Sequence, residues 1–502
     1  MRKAFLFAVL SLASVLSFAL PVGKERAQRV AQNAISALCA EQHRVSPDIP
    51  VELTDISASL GVDNLHIFRY RFGEVEGFII VSGDDIANPV LAYSDEGAPD
   101  TAISNPAFQA QLRHYSRQIL AGQETKATAP KHILLKWKML ESGNIPTLTG
   151  KGDFFDNNIP PLLGNMRWNQ TAPYNTLCPG GSVTGCVATA YGMIMNYWDY
   201  PEHGFGTHSY NGADNPAAYP SWRYGTLSVD FEHTYYDWAH MSDGIGLTSS
   251  DTAINAVATL LYHIGVALDM RYTPSASGCW SLREYALFDT SLHLSPTVGS
   301  EYRIPKHFGY RYDYAGMRDS IGDDTLWMHM LYNSLTAGKP IYYAGWAADT
   351  SVAGHSATSG HGYVIDGYFS DEVDSNYFHI NWGWGNAYNG YFKLDAMRPN
   401  GSDFTQWHGA VIGLEPDTSY HGYDPAAIRT AEPGITAQIS GNRGLITVSG
   451  AEGHPVNVYD IMGRRIATCH HAGHCWSTPA RQGIYLVCIG SYAAQKVVVL
   501  NP

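Results

Sequence analysis

Residues 416–433, PDTSYHGYDPAAIRTAEP, divide the chain into two stretches with different folding patterns. The segment is rich in Pro, Gly, Asp and Ser, the residues that punctuate regular structure. Beyond it, in 434–502, each apolar run reads as a strand: ITAQIS, GLITVSG, PVNVYDIMGRRIAT, GIYLVCIG and AQKVVVL. Strands at that spacing predict a small β-sandwich. Before it, helical and strand periods are mixed. There 122–132 (GQETKATAPKH) reads as a polar, exposed linker and 141–153 (ESGNIPTLTGKGD) as a second loose stretch. A chain of 502 residues is in any case too long for one hydrophobic core. The expected units are therefore 20–150, 151–415, a linker at 416–433, and 434–502.

Residues 1–19 form a separate segment. Met1-Arg2-Lys3 supplies positive charge, Ala4–Leu16 a hydrophobic run, and Ser17-Phe18-Ala19 the small residues of a cleavage site. This is the pattern of a secretory signal peptide cut after Ala19, too short for a membrane span. No second run of about 18 apolar residues follows, so no span is expected in the mature protein. A net charge of −14 with no Lys/Arg cluster argues against a nucleic-acid partner.

Both larger units read as α+β. In 20–150 a helical period over 24–42 precedes strand-like runs at 65–70 and 77–82, a further strand in PVLAYSDEG, and a helix over 106–122. In 151–415 a helix starting near Cys186 and a Ser/Asp-capped one at 249–268 come first. Strands at 339–344, 361–369, 377–385 and 390–397 follow. Helices first and antiparallel strands later is an α+β order.

The chemistry begins at TGCVATAYGMIMNYW, residues 184–198. Val187, Ala190, Tyr191, Ile194 and Trp198 recur at helical spacing and predict one buried face, which puts Cys186 at the helix start. Unpaired backbone N–H groups and the positive dipole end favour a thiolate there. A core cysteine and half of a disulfide are the competing readings. The chain has seven cysteines, at 39, 178, 186, 279, 469, 475 and 488. That is sparse for a secreted chain of this length, and the odd count leaves at least one thiol free. No zinc-ligand spacing occurs, and neither metal nor cofactor is expected.

A cysteine nucleophile needs a base and an oxyanion hole. His361 stands at the start of a strand between Gly360 and Gly362, where backbone or substrate can approach. His379, His355 and His408 are its rivals. Upstream, in WNQTAPYN, Gln170 could donate its amide alongside the Cys186 backbone N–H.

In order, WNQ–PYN, TGCVATA–YGMIMNYW, GKPIYYAG, GHGYVIDGY and FHINWGWG–NGYFKLDAM resemble the streptopain family of papain-like cysteine peptidases, over roughly 160–415. The GFIIVSGDD–PVLAYSDEG region is similar to that family's inhibitory propeptide. The tail resembles the C-terminal sorting domain of type IX secretion substrates, which implies a Gram-negative, Bacteroidetes-like host and that secretion machinery as a partner. The resemblance implies Cys186 as nucleophile, His361 as general base and Gln170 as oxyanion donor. It implies Ser277 and Gly360 as peptide contacts, Trp382 as ring support for His361, and Asn381 as the weaker candidate for orienting it. It further implies protein or peptide substrates, a propeptide that fills the cleft or displaces His361, and autoprocessing. Cys178 and Cys279 flank the site and stand either as a disulfide or as free thiols, and Cys469 and Cys475 are near enough in sequence for a local bridge. A cell-wall amidase and a non-catalytic binding protein on a decayed scaffold are the alternatives. The propeptide-like block argues against the first and the intact Cys186, His361 and Gln170 against the second.

Overall fold

A computed structural model describes residues 20–42, 49–97, 99, 105–143, 158–211, 224–282, 299–348, 357–371, 375–385, 387–395, 408–420, 437–442, 445–460, 465–470, 472–481, 483–489 and 495–499. The signal-peptide segment, His355 and most of the 141–153 and 416–433 stretches lie outside these residues.

The N-terminal unit runs α1 (Lys24–Gln42), β1 (Glu52–Asp55), α2 (Ser57–Leu60), β2 (Leu65–Phe72), β3 (Val75–Ser82), β4 (Val90–Ser94), α3 (Pro106–Glu124) and α4 (Lys131–Ser142). Helix α4 replaces part of the expected linker. Its Ile133, Trp137 and Leu140 are buried with Val30, Ile35 and Leu38 of α1. Four basic side chains in KHILLKWKMLES hide that apolar stripe from a composition reading. Strands β2–β4 present Phe68, Ile79 and Val81 to α1 and α4 on one face. On the other they present Ile67, Phe78 and Ile80 to Phe108, Leu112 and Tyr115 of α3. That is the period-two division a sheet covered on both faces requires.

The central unit continues with α5 (Cys186–Trp198), β5 (Thr207–Asn211), β6 (Thr226–Asp230), α6 (Asp251–Ala267), α7 (Ser300–Phe308), β7 (Tyr310–Arg311), β8 (Tyr314–Met317), α8 (Arg318–Ile321) and α9 (Asp324–Thr336). Its strands follow: β9 (Ile341–Ala348), β10 (Ala357–Asp371), β11 (Ser375–Asn381), β12 (Gly390–Phe392), β13 (Gly409–Ile412) and β14 (Glu415–Pro416). Helix α6 is capped by Ser250, whose Oγ accepts the Ala253 N–H at 3.2 Å.

One ten-stranded antiparallel sheet joins the two units, in the order β1-β2-β3-β4-β12-β11-β10-β9-β13-β8. The seam is β4 against β12, with Tyr93 opposite Tyr391 and Ala92 opposite Phe392. The N-terminal unit therefore docks by extending the sheet. Alternate residues of β9 and β10 feed two cores. Tyr343, Tyr363 and Ile365 face the side of α3 and α9. Tyr342, Ala344 and Val364 face α5 and α6. Helix α5 departs from the expected single buried face. Residues Val187–Met195 are all buried and Trp198 only partly, because the helix lies between the sheet and α6.

The described residues of the C-terminal unit form the strands β15 (Gln438–Asn442), β16 (Leu445–Ser449), β17 (Val456–Asp460), β18 (Arg465–Cys469), β19 (Cys475–Pro479), β20 (Gly483–Ile489) and β21 (Gln495–Val499). Sheets β15-β16-β19 and β18-β17-β20-β21 enclose Ile446, Val448, Val458, Val487 and Val499. It rests on the β8 end of the large sheet, where Tyr459 packs near Tyr314, Asn457 Nδ2 donates to Asp313 O, and Arg465 pairs with Asp313. No described helix is long and apolar enough to cross a membrane.

Candidate active site

Cys186 opens α5, and the residue before it carries the turn. Gly185 has φ 88° and ψ 138°, a conformation an L side chain rarely adopts. A Cβ there would also lie 2.8 Å from Met270 Sδ and 3.2 Å from Ser277 O. The glycine of Thr-Gly-Cys is thus a geometric requirement. The half-buried thiol accepts the Gly362 N–H at 3.3 Å. Burial alone would push its pKa up. The charge of His361, a hydrogen bond from that side chain and the N–H groups of Gly362 and Val187 outweigh burial, and the pKa falls below the usual thiol value.

His361 lies on β10 opposite Gly345 and is 8% exposed. With one side of its ring at Cys186, its Nε2–H donates to the backbone carbonyl of Trp382 at 3.2 Å. The N-terminal unit does not displace it. Instead α3 covers the aromatic floor beneath it: Phe108 meets Tyr388 at 4.8 Å, and Trp382 packs on Tyr363 at 4.7 Å and Phe392 at 5.2 Å. Trp382 therefore meets His361 through its carbonyl as well as its ring. Asn381 does not touch His361: its Nδ2 donates to Met166 O at 2.7 Å and its Oδ1 accepts the Gly383 N–H at 3.1 Å.

Gln170 is held to the same turn by its carbonyl, which accepts the Thr184 N–H at 3.1 Å. Its side-chain Nε2 is buried and has no partner among the described residues. A buried amide donor left unpaired costs about 1–3 kcal/mol, so it marks a position built for an acceptor. Ser277 is buried, and its hydroxyl is spent on its own loop, accepting from Thr273 N at 3.0 Å and donating to Thr273 O at 3.1 Å. Only its carbonyl faces the Cys186 turn. Gly360 is exposed beside His361 and stands opposite Trp346 in the β9–β10 ladder.

The rival histidines are occupied elsewhere. His379 is 2% exposed, with Nδ1 on Asp366 Oδ1 at 2.6 Å and Nε2 on Glu96 Oε1 at 3.2 Å. His408 Nδ1 meets Tyr343 Oη at 2.9 Å, and burial drives its pKa down to about 3. Cys178 and Cys279 are buried free thiols, and burial raises Cys178 to about 12 despite a hydrogen bond with Tyr272. Cys469 and Cys475 are likewise unbridged and lie in opposite sheets of the sandwich. Among the described residues no group of His, Cys, Asp and Glu could hold a metal.

Sequence reasoning missed the loop that packs against the Gly185 turn. Asp269 binds His208 at 2.6 Å and Arg303 at 3.0 Å, and Met270 O accepts from Tyr210 Oη at 2.5 Å. These contacts set Met270 against Gly185. Nothing in the local sequence signalled them, because the partners lie about 60 and 34 residues away.

Residues 168–392 match the family model described as Peptidase C10 family, and 19–119 match Spi protease inhibitor. The chain belongs to the Peptidase C10 family. It is a cysteine-type endopeptidase with its inhibitor domain in the same polypeptide. Residues 428–499 match a domain of unknown function. Thiol protease/hemagglutinin PrtT of Porphyromonas gingivalis is 29% identical over 389 residues, which span 72% of this chain but only 40% of that protein. Streptopain of Streptococcus pyogenes is 25% identical over 396 residues, 74% of this chain and 86% of that one. The solved fragment of Prevotella intermedia prointerpain A is 27% identical, with a TM-score of 0.52, and the match covers 72% of this chain and 98% of the fragment.

Proposed function

We propose that this C10 peptidase is exported as a self-inhibited zymogen and cleaves extended peptides through a Cys186–His361 dyad. The observation that carries the reading is the convergence on one helix start. The thiol is flanked by His361 and the Gly362 N–H, and the unpaired Gln170 Nε2 stands on the same turn. His361 holds the proton from Cys186, and the thiolate attacks the scissile carbonyl carbon. Gln170 Nε2–H and the Cys186 backbone N–H stabilise the oxyanion. His361 then protonates the leaving amine as the C–N bond breaks, leaving a thioester. Water, deprotonated by His361, hydrolyses the thioester and frees the thiol.

The unit at 20–150 acts as the inhibitor and is removed by cleavage before the mature domain, with Cys186 of another molecule as the cutting group. Residues 1–19 direct export to the periplasm, and 434–502 serve as a type IX sorting domain in a Bacteroidetes-like host. Export that persists after deletion of 434–502 would remove that role. The activity is tested by casein hydrolysis with the processed protein, with and without an epoxide that alkylates thiols, followed by mass spectrometry. Thiol-dependent hydrolysis with the label on Cys186 is the expected result. No hydrolysis and no selective label after proven removal of 20–150 would overturn the reading.

A further inference from the structure

A general base is normally aimed by a third group, and here that group is a peptide carbonyl. A carbonyl has no rotamer of its own, so its aim is set by whatever fixes the peptide plane. The Trp382–Gly383 peptide is the one in question. Its oxygen faces His361, and its N–H, on Gly383, points the opposite way onto Asn381 Oδ1 at 3.1 Å. Asn381 is itself anchored, through Nδ2, to Met166 O at 2.7 Å. The preceding peptide is gripped as well: the Trp382 N–H donates to Asn389 Oδ1 at 3.1 Å, and the indole Nε1 donates to Tyr388 O at 2.9 Å. Both asparagines are 2% exposed. Gly383 has φ 69°, the left-handed conformation that lets the chain turn between the two grips. A Cβ there would lie 3.1 Å from Thr189 Cγ2 on α5, so the same turn is also fitted against the helix that carries the thiol.

We propose that Asn381 and Asn389 are positioning residues that clamp the Trp382 backbone and thereby aim its carbonyl at His361 Nε2. Neither touches the reacting atoms. Each restricts a rotation that would swing the carbonyl away and leave the imidazole free to take an orientation that no longer faces Cys186. Tyr388, whose carbonyl completes the clamp, is also the residue that Phe108 of α3 covers. The inhibitor unit therefore rests on the base-orienting apparatus without touching the base.

This inference rests on the Cys186–His361 dyad, and the test separates the two. Asn389→Leu and Asn381→Leu remove the acceptor oxygen at similar volume, Asn389→Asp keeps it, and Asn389→Ala stands in if the leucine variants do not fold. Iodoacetamide alkylation of Cys186 is followed against pH on the full chain by mass spectrometry, together with Tm. After activation, kcat and KM are measured on a peptide substrate. The clamp predicts that alkylation at pH 6 slows about tenfold in Asn389→Leu, the order expected from one neutral hydrogen bond. It predicts a matching fall in kcat with KM little changed, and a smaller loss in Asn389→Asp. An alkylation profile identical to the parent's in the folded variants, with activity falling only as Tm falls, would overturn the clamp while leaving the dyad standing. A parent chain whose Cys186 reacts no faster at pH 6 than an ordinary thiol would overturn both.

Discussion

His361 and His379 stand on neighbouring strands, β10 and β11, and both are nearly buried, yet their ring nitrogens meet opposite kinds of partner. His361 gives its Nε2–H to a neutral carbonyl and presents the rest of its ring to a thiol. His379 is set between two carboxylates, Asp366 of its own unit and Glu96 of the N-terminal unit. Burial would lower its pKa, but the charge and hydrogen bonds of Asp366 and Glu96 prevail and raise it to about 10. An imidazole held by two anions is kept as a cation through the neutral range. What separates a base from a structural ion pair is the partner of each ring nitrogen, and strand position says nothing about it.

The sharpest way to break this comparison is to remove each ring. His361→Ala is expected to lower kcat/KM by at least about 10³-fold with a modest change in Tm. His379→Ala leaves Asp366 buried without its cation, and such a change typically costs about 3 kcal/mol. It should therefore lower Tm strongly while the folded fraction keeps rapid alkylation at Cys186. Activity assays and thermal melts on both variants check this. A folded His379→Ala chain with a slow Cys186 and a His361→Ala chain with a fast one would reverse the assignment.

The same contrast exists among the thiols. Burial holds Cys178 near 12 and raises Cys279 as well, while Cys186 is lowered. At pH 6, iodoacetamide should label Cys186 at least about 100-fold faster than Cys178 or Cys279. Exposed Cys475 serves as the solvent-accessible control in the same digest. Comparable labelling of Cys279 and Cys186 would show that burial does not set the difference.

Much of this candidate site was legible in the sequence, because the chemistry proposed for it rests on local patterns. Cys186 follows the Gly185 that its turn demands, and His361 lies between glycines on a strand. What was not legible depends on partners far along the chain. The β4–β12 seam joins residues about 300 apart, so no alternation pattern could announce that the inhibitor unit extends the catalytic sheet. Helix α4 was hidden because its basic residues raised the polarity of a segment whose buried stripe is only one side. Asn381 stands next to Trp382 in sequence, but its side chain holds the Gly383 N–H and not His361, a contact that only the backbone geometry reveals. His379 looked like a rival base until its two carboxylates, at positions 96 and 366, were in place.

Alkaline titration sharpens the comparison further. The folded pKa of His379 is raised to about 10, against roughly 6.5 for an unperturbed histidine. The native state therefore binds more protons than the unfolded one between these values. The stabilisation is complete below pH 6.5 and is lost as the pH rises towards 10. The groups facing the ring are Asp366 on β10, Glu96 after β4 and Tyr391 on β12, with Asp95 acting on Tyr391. The full chain should lose Tm steadily between pH 7 and 10, with a flatter profile in His379→Asn. Parallel profiles would mean that other groups carry the alkaline loss.

The smallest expected effect tests how much of the inhibitor's hold comes from charge. Glu96 is partly exposed and its bond to His379 is 3.2 Å long, so its contribution is screened by solvent. Glu96→Gln should speed conversion of the zymogen to the mature form only about two- to fivefold, measured as a time course on gels, and the difference should shrink in high salt. The paired strands β4 and β12 and the packing of Phe108, Leu112 and Tyr115 under Trp382 and Phe392 would still hold the unit in place. A Glu96→Gln chain that matures at once would reverse this ranking. It would make His379 the main latch of the zymogen, with strand pairing too weak to retain the inhibitor by itself.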